Sequence, residues 1–393
     1  MLIMFTRRMP VPHRSFFLFG PRGTGKSTWL RQVLPGARWY DLLLGDVYLR
    51  LLADPSAFRR EVEALPAGTW VVVDEVQRVP ALLNEVHALI AGHGRRWGFA
   101  LCGSSARKLK RMDANLLAGR VVNRAFFPLA WSELGALDDV GSRAGIDAIL
   151  RFGLLPSVRQ EPSEAVDILD AYAANYLREE IQQEALTRDL ASFARFLTAA
   201  GALNGQVVNV ANVARESAVP RPTVQRYFDV LVDTLVGSWL PAWQPRLKIR
   251  ERAHPKFYFF DSGVARAAAG RLRDPLHESE RGAALETWMF HEIRAHLAHA
   301  GGGGDLAYYR TPAGVEVDFV WTSGGRTVGI EVKSARRWRP ADGRPLRELH
   351  AQGVVRKAVA VYGGERAQKD GPVLVLPVTE FLERLPEIFR AER

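Results

Sequence analysis

The run Phe16-Phe17-Leu18-Phe19-Gly20-Pro21-Arg22-Gly23-Thr24-Gly25-Lys26-Ser27-Thr28-Trp29-Leu30 restricts the fold more than any other stretch. An apolar segment enters a glycine-rich turn, and a helical sequence follows. Gly20, Gly25, Lys26 and Ser27 fit the spacing G-x-x-x-x-G-K-[ST] of a phosphate-binding loop. Glycines let consecutive backbone N–H groups turn inward around phosphate oxygens, and the following helix adds the partial positive charge of its N-terminus. The expectation is a strand, a loop and a helix, with Gly20, Pro21, Arg22, Gly23, Thr24, Gly25, Lys26, Ser27 and Thr28 around the phosphates of ATP. Lys26 is expected to reach the β- and γ-phosphates, and the Ser27 hydroxyl to ligate Mg²⁺. The alternative is an ordinary glycine turn between a strand and a helix.

The next segments supply the rest of such a site. Arg38 to Leu42 reads as a strand, and Val47 to Leu65 as helix broken at Asp54-Pro55. Trp70-Val71-Val72-Val73-Asp74-Glu75 is continuously apolar and ends in two carboxylates, the pattern of a buried parallel strand with acids at its carboxyl end. Asp74 is expected to hold Mg²⁺, and Glu75 to polarise the attacking water. Leu82 to Ala91 reads as an amphipathic helix. Trp97 to Gly103 reads as a further strand, which runs into Ser104-Ser105. A basic cluster, Arg107, Lys108, Lys110 and Arg111, precedes Leu116-Leu117-Ala118-Gly119-Arg120. Arg120 is read either as an arginine finger for a neighbouring subunit's ATP or as a solvated or helix-capping arginine.

Composition bounds the class. The chain has 393 residues, enough for two to four domains, and a net charge of +10, which favours polyanionic partners. Its one cysteine, Cys102, lies among apolar residues and excludes disulfide frameworks and cysteine zinc sites. No stretch has the apolar length of a membrane span, and Met1 to Phe5 is too short for a signal-peptide core, so a cytoplasmic protein without a membrane partner is expected.

Residues 131 to about 200 read as mostly helical, with Ile168 to Leu186 as one long charged helix. Val208 to Ser217, the turn Ala218-Val219-Pro220 and a helix from Arg221 make a helix-turn-helix pattern. Two strands follow, Gly237 to Trp243 and Lys256 to Asp261. The loop between them carries Arg246, Lys248, Arg250, Arg252 and Lys256. This is the pattern of a winged helix with a basic wing. Arg221, Thr223, Gln225 and Arg226, with Arg246, Lys248, Arg250 and Arg252, are the candidate DNA contacts. Winged helices also dock proteins, which is the competing reading.

In the last part, Leu285 to Leu297 reads as a helix that puts Glu286, Phe290, Ile293 and Leu297 on one face. A glutamate on a buried face needs a reason. His291-Glu292 with His296 fails the metalloprotease spacing, so the two histidines do not share a face. Strands Val315 to Trp321 and Thr327 to Lys333 follow. Alternation puts Glu316 with Asp318, and Glu331 with Lys333. An Asp, a Glu-x-Lys and a helical Glu can build a Mg²⁺ site that activates water against a phosphodiester. An exposed charged hairpin is the alternative. Arg336, Arg337, Arg339, Arg344 and Arg347 add a basic stretch suited to a phosphate backbone.

Glu286, Asp318, Glu331 and Lys333 match, residue by residue, the signature of the restriction-endonuclease-like fold, which this region resembles. Over nearly its full length the chain resembles prokaryotic P-loop ATPases of the AAA class joined to a C-terminal domain of unknown function. The motifs that carry this are Gly20 to Ser27, Asp74 to Pro80, Gly103-Ser104-Ser105 and Glu331-Val332-Lys333. The resemblance implies an α/β fold: a P-loop AAA-type ATPase core (1–130), a helical lid (131–190), a winged helix (191–272) and a restriction-endonuclease-like α/β domain (273–393). It implies that Ser104 or Ser105 senses the γ-phosphate, a position where a serine could equally cap a helix. It also implies ATP hydrolysis, binding and possible cleavage of DNA, and homo-oligomers. The alternative is an ATP-gated regulator or scaffold whose endonuclease-like fold is inactive.

Overall fold

Five short β-strands of the first part of the chain share one direction, and their order sets where the candidate nucleotide residues meet. The computed structural model describes residues 5–104, 117, 119–135, 140–176, 189–243, 254–301, 303–312 and 314–390. Ser105, the basic cluster from Arg107 to Arg111, and Arg246, Lys248, Arg250 and Arg252 of the wing lie outside them. The chain divides into two units. One is Arg7–Pro128 with Asp233–Val236; the other contains Leu129–Val232 and Gly237–Arg393.

In the first unit the strands are β1 (Phe16–Phe19), β2 (Arg38–Asp41), β3 (Trp70–Asp74), β4 (Gly98–Gly103) and β5 (Val122–Ala125). Their order is β2-β3-β4-β1-β5, and every pairing is parallel. Parallel strands need crossovers, and the expected helices supply them: Lys26–Val33, Gly45–Ala53, Ser56–Glu63 and Leu82–His93. Val71, Val72 and Val73 are fully buried because both faces of β3 are covered, which explains the unbroken apolar run. β5 is absent from the sequence reading. It is a half-exposed edge strand, Val-Asn-Arg-Ala, held by its register with β1 rather than by apolar periodicity. Cys102 is buried, as expected.

The second unit begins with helices Arg143–Phe152, Pro156–Gln160 and Ala165–Ala171. Of the long helix expected from Ile168 to Leu186, the described residues show α-helix to Ala171 and a π-helical turn at Tyr172–Tyr176; residues 177–186 lie outside them. Helix Leu190–Ala202 leads into β6 (Gln206–Val207), helix Val210–Ser217, helix Arg221–Asp233, β7 (Gly237–Leu240) and β8 (Lys256–Phe259). Ala218 makes the tight turn in the left-handed region, at φ 52°. The strands order as β6-β8-β7, a small antiparallel sheet beside the helix pair.

The last sheet orders as β13-β14-β12-β11-β10-β9, from β9 (Asp305–Arg310), β10 (Glu316–Ser323), β11 (Arg326–Lys333), β12 (Lys357–Tyr362), β13 (Gln368–Asp370) and β14 (Val373–Pro377). Helix Glu278–Ala300 buries Trp288, Met289 and Ile293 against Phe319, Ile330 and Val359 on one face. Leu346 and Leu349 of helix Arg344–Ala351 join Val317, Val320 and Ala360 in a separate core. Val317 and Phe319, two residues apart, thus enter different cores, because the β10–β9 register shifts between Val317 and Val320. The shift falls at Asp318, and bulges of this kind re-aim side chains.

Candidate functional site

Gly23 and Gly25 adopt φ 78° and 89°, backbone that side-chain-bearing residues avoid, and so bend the loop between β1 and its helix. At Gly20 a Cβ would overlap the carbonyl oxygen of Phe126. Thr24 is buried, its hydroxyl donating to the Pro21 carbonyl at 2.8 Å. Lys26 is buried too, and its ammonium donates to the carbonyls of Gly20 (2.7 Å) and Pro21 (2.9 Å). The lysine therefore lies folded over the loop that it is expected to complete around phosphate. Arg7 braces the same loop: it donates to the Thr24 carbonyl at 2.7 Å and the Phe127 carbonyl at 2.6 Å, and lies over the Phe126 ring. Sequence reasoning left the residues before Ser15 without a role. An arginine ahead of the first strand carries no motif that would have signalled this one.

The strand order does the rest. β4 lies between β1 and β3, so Ser104 at its end stands between the loop and the acids of β3. Ser27 Oγ donates to Asp74 Oδ2 at 2.6 Å. These two oxygen ligands are side by side, in the relation that a shared Mg²⁺ requires, so the residues fit the ion. Glu75 leaves the strand in the left-handed region, φ 55° and ψ 44°, which costs a non-glycine residue on the order of 1–3 kcal/mol. Gln77 holds its carboxylate: Nε2 donates to Glu75 Oε2 and, at 3.3 Å, to Ser104 Oγ. Ser104 Oγ also donates to Glu75 Oε2, at 3.4 Å. Gly103 lies against this group: a Cβ there would meet Gln77 Oε1 and displace the Gln77 amide. Arg120 contacts His87 just before β5, whose first residue pairs with Phe16 at the start of β1. It is thus at the amino edge of the sheet, opposite the phosphate loop.

The second group of polar residues is in the other unit. Glu286 and Asp318 do converge, together with Glu316, around a cation that sequence reasoning placed elsewhere, while Glu331 pairs with Lys333. Lys256, read as part of the basic wing, opens β8 with its side chain 3% exposed. Its Nζ is 2.6 Å from Glu316 Oε1, 2.8 Å from Glu286 Oε1 and 3.6 Å from Asp318 Oδ1. Tyr258, two residues on along the same strand, donates to the same Glu286 oxygen. Asp318 Oδ2 accepts the Val332 N–H at 2.8 Å, and Lys333 pairs with Glu331 Oε1 as alternation predicts. Burial, then the Asp318 charge, push the Glu286 carboxyl up to about 7 and Glu331 well above the usual carboxylate range. Burial alone would lower the Lys256 ammonium, but Glu286, Asp318 and Glu316 overcome it and raise it. As it stands, this arrangement does not fit a metal: among the described residues no group of three or more His, Cys, Asp or Glu is set to hold one, and the Lys256 ammonium lies among these carboxylates. Three arginines of the following basic stretch have carboxylate partners. Arg347 pairs with Asp370, Arg336 with Glu365 and Arg344 with Glu348.

On helix Arg221–Asp233, Val224, Tyr227, Phe228 and Leu231 enter the core. Arg221, Gln225 and Arg226 are exposed, with Thr223 half-buried. Arg226 donates to Thr223 Oγ1 at 3.3 Å, and Gln225 to Asp229 at 3.1 Å. No described helix is long and apolar enough to cross a membrane.

Residues 281–381 match the model of a domain of unknown function (DUF4143), and residues 143–274 that of another (DUF8612). Uncharacterized proteins of Mycobacterium tuberculosis (Rv2008c) and Mycobacterium bovis (Mb2031c) are each 29% identical over 374 residues, covering 93% of this chain and 80% of theirs. A solved structure of a Thermotoga maritima RuvB variant overlaps 58% of this chain and 82% of its own, at 15% identity and a TM-score of 0.31. The phosphate loop, the Asp74-Glu75 strand end and Ser104 all fall within residues 12–135, which match the model of an AAA domain.

Proposed function

We propose that the chain binds and hydrolyses ATP with Mg²⁺. The observation that carries this is one constellation: Lys26 folded on its loop, Ser27 bonded to Asp74, and Glu75 held by Gln77 and Ser104. Lys26 stabilises charge on the β- and γ-phosphates; Ser27 and Asp74 hold the ion; Glu75 polarises water; Ser104 senses the γ-phosphate. Lys26→Ala should weaken ATP binding, and Glu75→Gln should keep binding but trap ATP unhydrolysed. Normal turnover in both variants refutes the assignment. An arginine at the far edge of the sheet cannot serve its own loop, so Arg120 acts, if as a finger, on a second copy. Mixing Arg120→Ala with Glu75→Gln protein then restores part of the turnover, and mixtures that stay inactive while binding ATP reject that role.

The helix-turn-helix and its three-stranded sheet are read as a winged helix that binds DNA, through the exposed Arg221, Gln225 and Arg226 with Thr223 and the basic wing residues Arg246, Lys248, Arg250 and Arg252. For the C-terminal domain a specific observation favours the second reading, a scaffold of endonuclease-like fold: the buried Lys256 ammonium among its carboxylates. Metal-dependent cleavage at Asp318, Glu331 and Lys333 with Glu286 would first require that lysine to leave.

A further inference from the structure

The carboxylates of this centre come from two elements, Glu286 from helix Glu278–Ala300 and Glu316 and Asp318 from β10. The lysine comes from a third, β8, which belongs to the small sheet beside the helix-turn-helix. Four further contacts tie β8 and the residues flanking β7 and β8 to the C-terminal sheet. Tyr308 of β9 donates its hydroxyl to the His254 carbonyl, and Lys256 Nζ is 5.4 Å from the centre of the Tyr308 ring. Tyr308 N–H donates to the Pro241 carbonyl at 3.0 Å, and Trp243 N–H to the Tyr308 carbonyl at 2.6 Å. The ion pairs are therefore part of a joint between two sheets.

A buried carboxylate cluster needs a cation, because unpaired charge in a low-dielectric site is costly. A divalent ion would take the inward oxygens of Glu286 and Asp318. Glu286 Oε1 already has two donors, Lys256 and Tyr258; Asp318 Oδ1 faces Lys256 Nζ at 3.6 Å, and its Oδ2 accepts the Val332 N–H. We propose that Lys256 is the resident cation of this centre: its ammonium stands where a divalent ion would stand, so the native chain takes up no Mg²⁺ or Mn²⁺ there. The carboxylates then serve to dock β8 onto the C-terminal sheet. This is independent of ATP hydrolysis in the other unit.

The test is a Mn²⁺ titration of the nucleotide-free full chain, followed by electron paramagnetic resonance. Wild type and Asp318→Asn should bind the same number of ions per chain. Folded Lys256→Met protein should gain one Mn²⁺ per chain, and adding Asp318→Asn to it should remove that ion. A Mn²⁺ bound by wild type and lost in Asp318→Asn or Glu331→Gln overturns the proposal, and this comparison needs no Lys256 variant to fold. A folded Lys256→Met that gains no ion overturns it as well.

Discussion

Glu292 offers a quantitative test of how this chain handles buried charge. It is 3% exposed on helix Glu278–Ala300, with Oε1 accepting the Trp131 N–H at 2.7 Å and the Trp288 indole N–H at 2.9 Å. Burial pushes its carboxyl up to about 8; the two hydrogen bonds pull it down, and the nearby Glu133 charge adds to the rise. The folded protein thus holds a proton that the unfolded chain, with an ordinary glutamate near pH 4.5, has released. With more protons bound folded than unfolded, stability falls as pH rises through this window, by up to about 1.4 kcal/mol per pH unit. Between pH 5 and pH 7 the loss is about 2.5 kcal/mol, and over the whole window on the order of 5 kcal/mol. Glu292→Gln keeps the acceptor for both N–H groups and removes the ionisation. The variant should therefore gain on wild type by about 2.5 kcal/mol between pH 5 and pH 7, or about 5 °C in melting temperature for a unit of this size. Thermal unfolding of both proteins by circular dichroism at pH 5, 6 and 7 reads the difference, in which titrations common to both cancel. A difference that stays constant across those pH values refutes the reasoning.

Gln77→Ala should release the Glu75 carboxylate and lower kcat for ATP at least tenfold with little change in nucleotide affinity, since Gln77 touches Glu75 and Ser104 rather than the phosphate loop. An unchanged kcat in steady-state turnover would show that Glu75 needs no such support. Duplex DNA binding should weaken with salt, and replacing Arg221 and Arg226 with Ala should flatten the log K against log salt slope by about two. An unchanged slope assigns this helix face to protein docking instead.

Several elements were legible because they are local. The phosphate loop is written in consecutive residues, since glycines set its bends and Lys26 and Ser27 follow directly. The buried run Val71–Val73 announced a strand covered on both sides, and the break at Asp54-Pro55 separated two helices as observed. The pair Glu331 and Lys333 met as strand alternation requires. Strand β5 escaped notice because it is half exposed and polar, with pairing to β1 as its determinant.

The sequence by itself determined the strand, glycine loop and helix around Lys26, the alternation of helix and strand in the first unit and the helix-turn-helix, because each follows from residue types within a short window. Only the tertiary structure decided which distant charges meet. Insertion of β4 between β1 and β3 put Ser104 beside Glu75, and the left-handed backbone at Glu75 turned its carboxylate to Gln77. Lys256 reads along the chain as the last basic residue of an exposed loop. In the fold it is a buried counter-ion, 30 residues from Glu286 and 62 from Asp318. Periodicity reports the face on which a side chain lies, whereas the charge opposite it is set by how strands far apart in the chain are laid against each other.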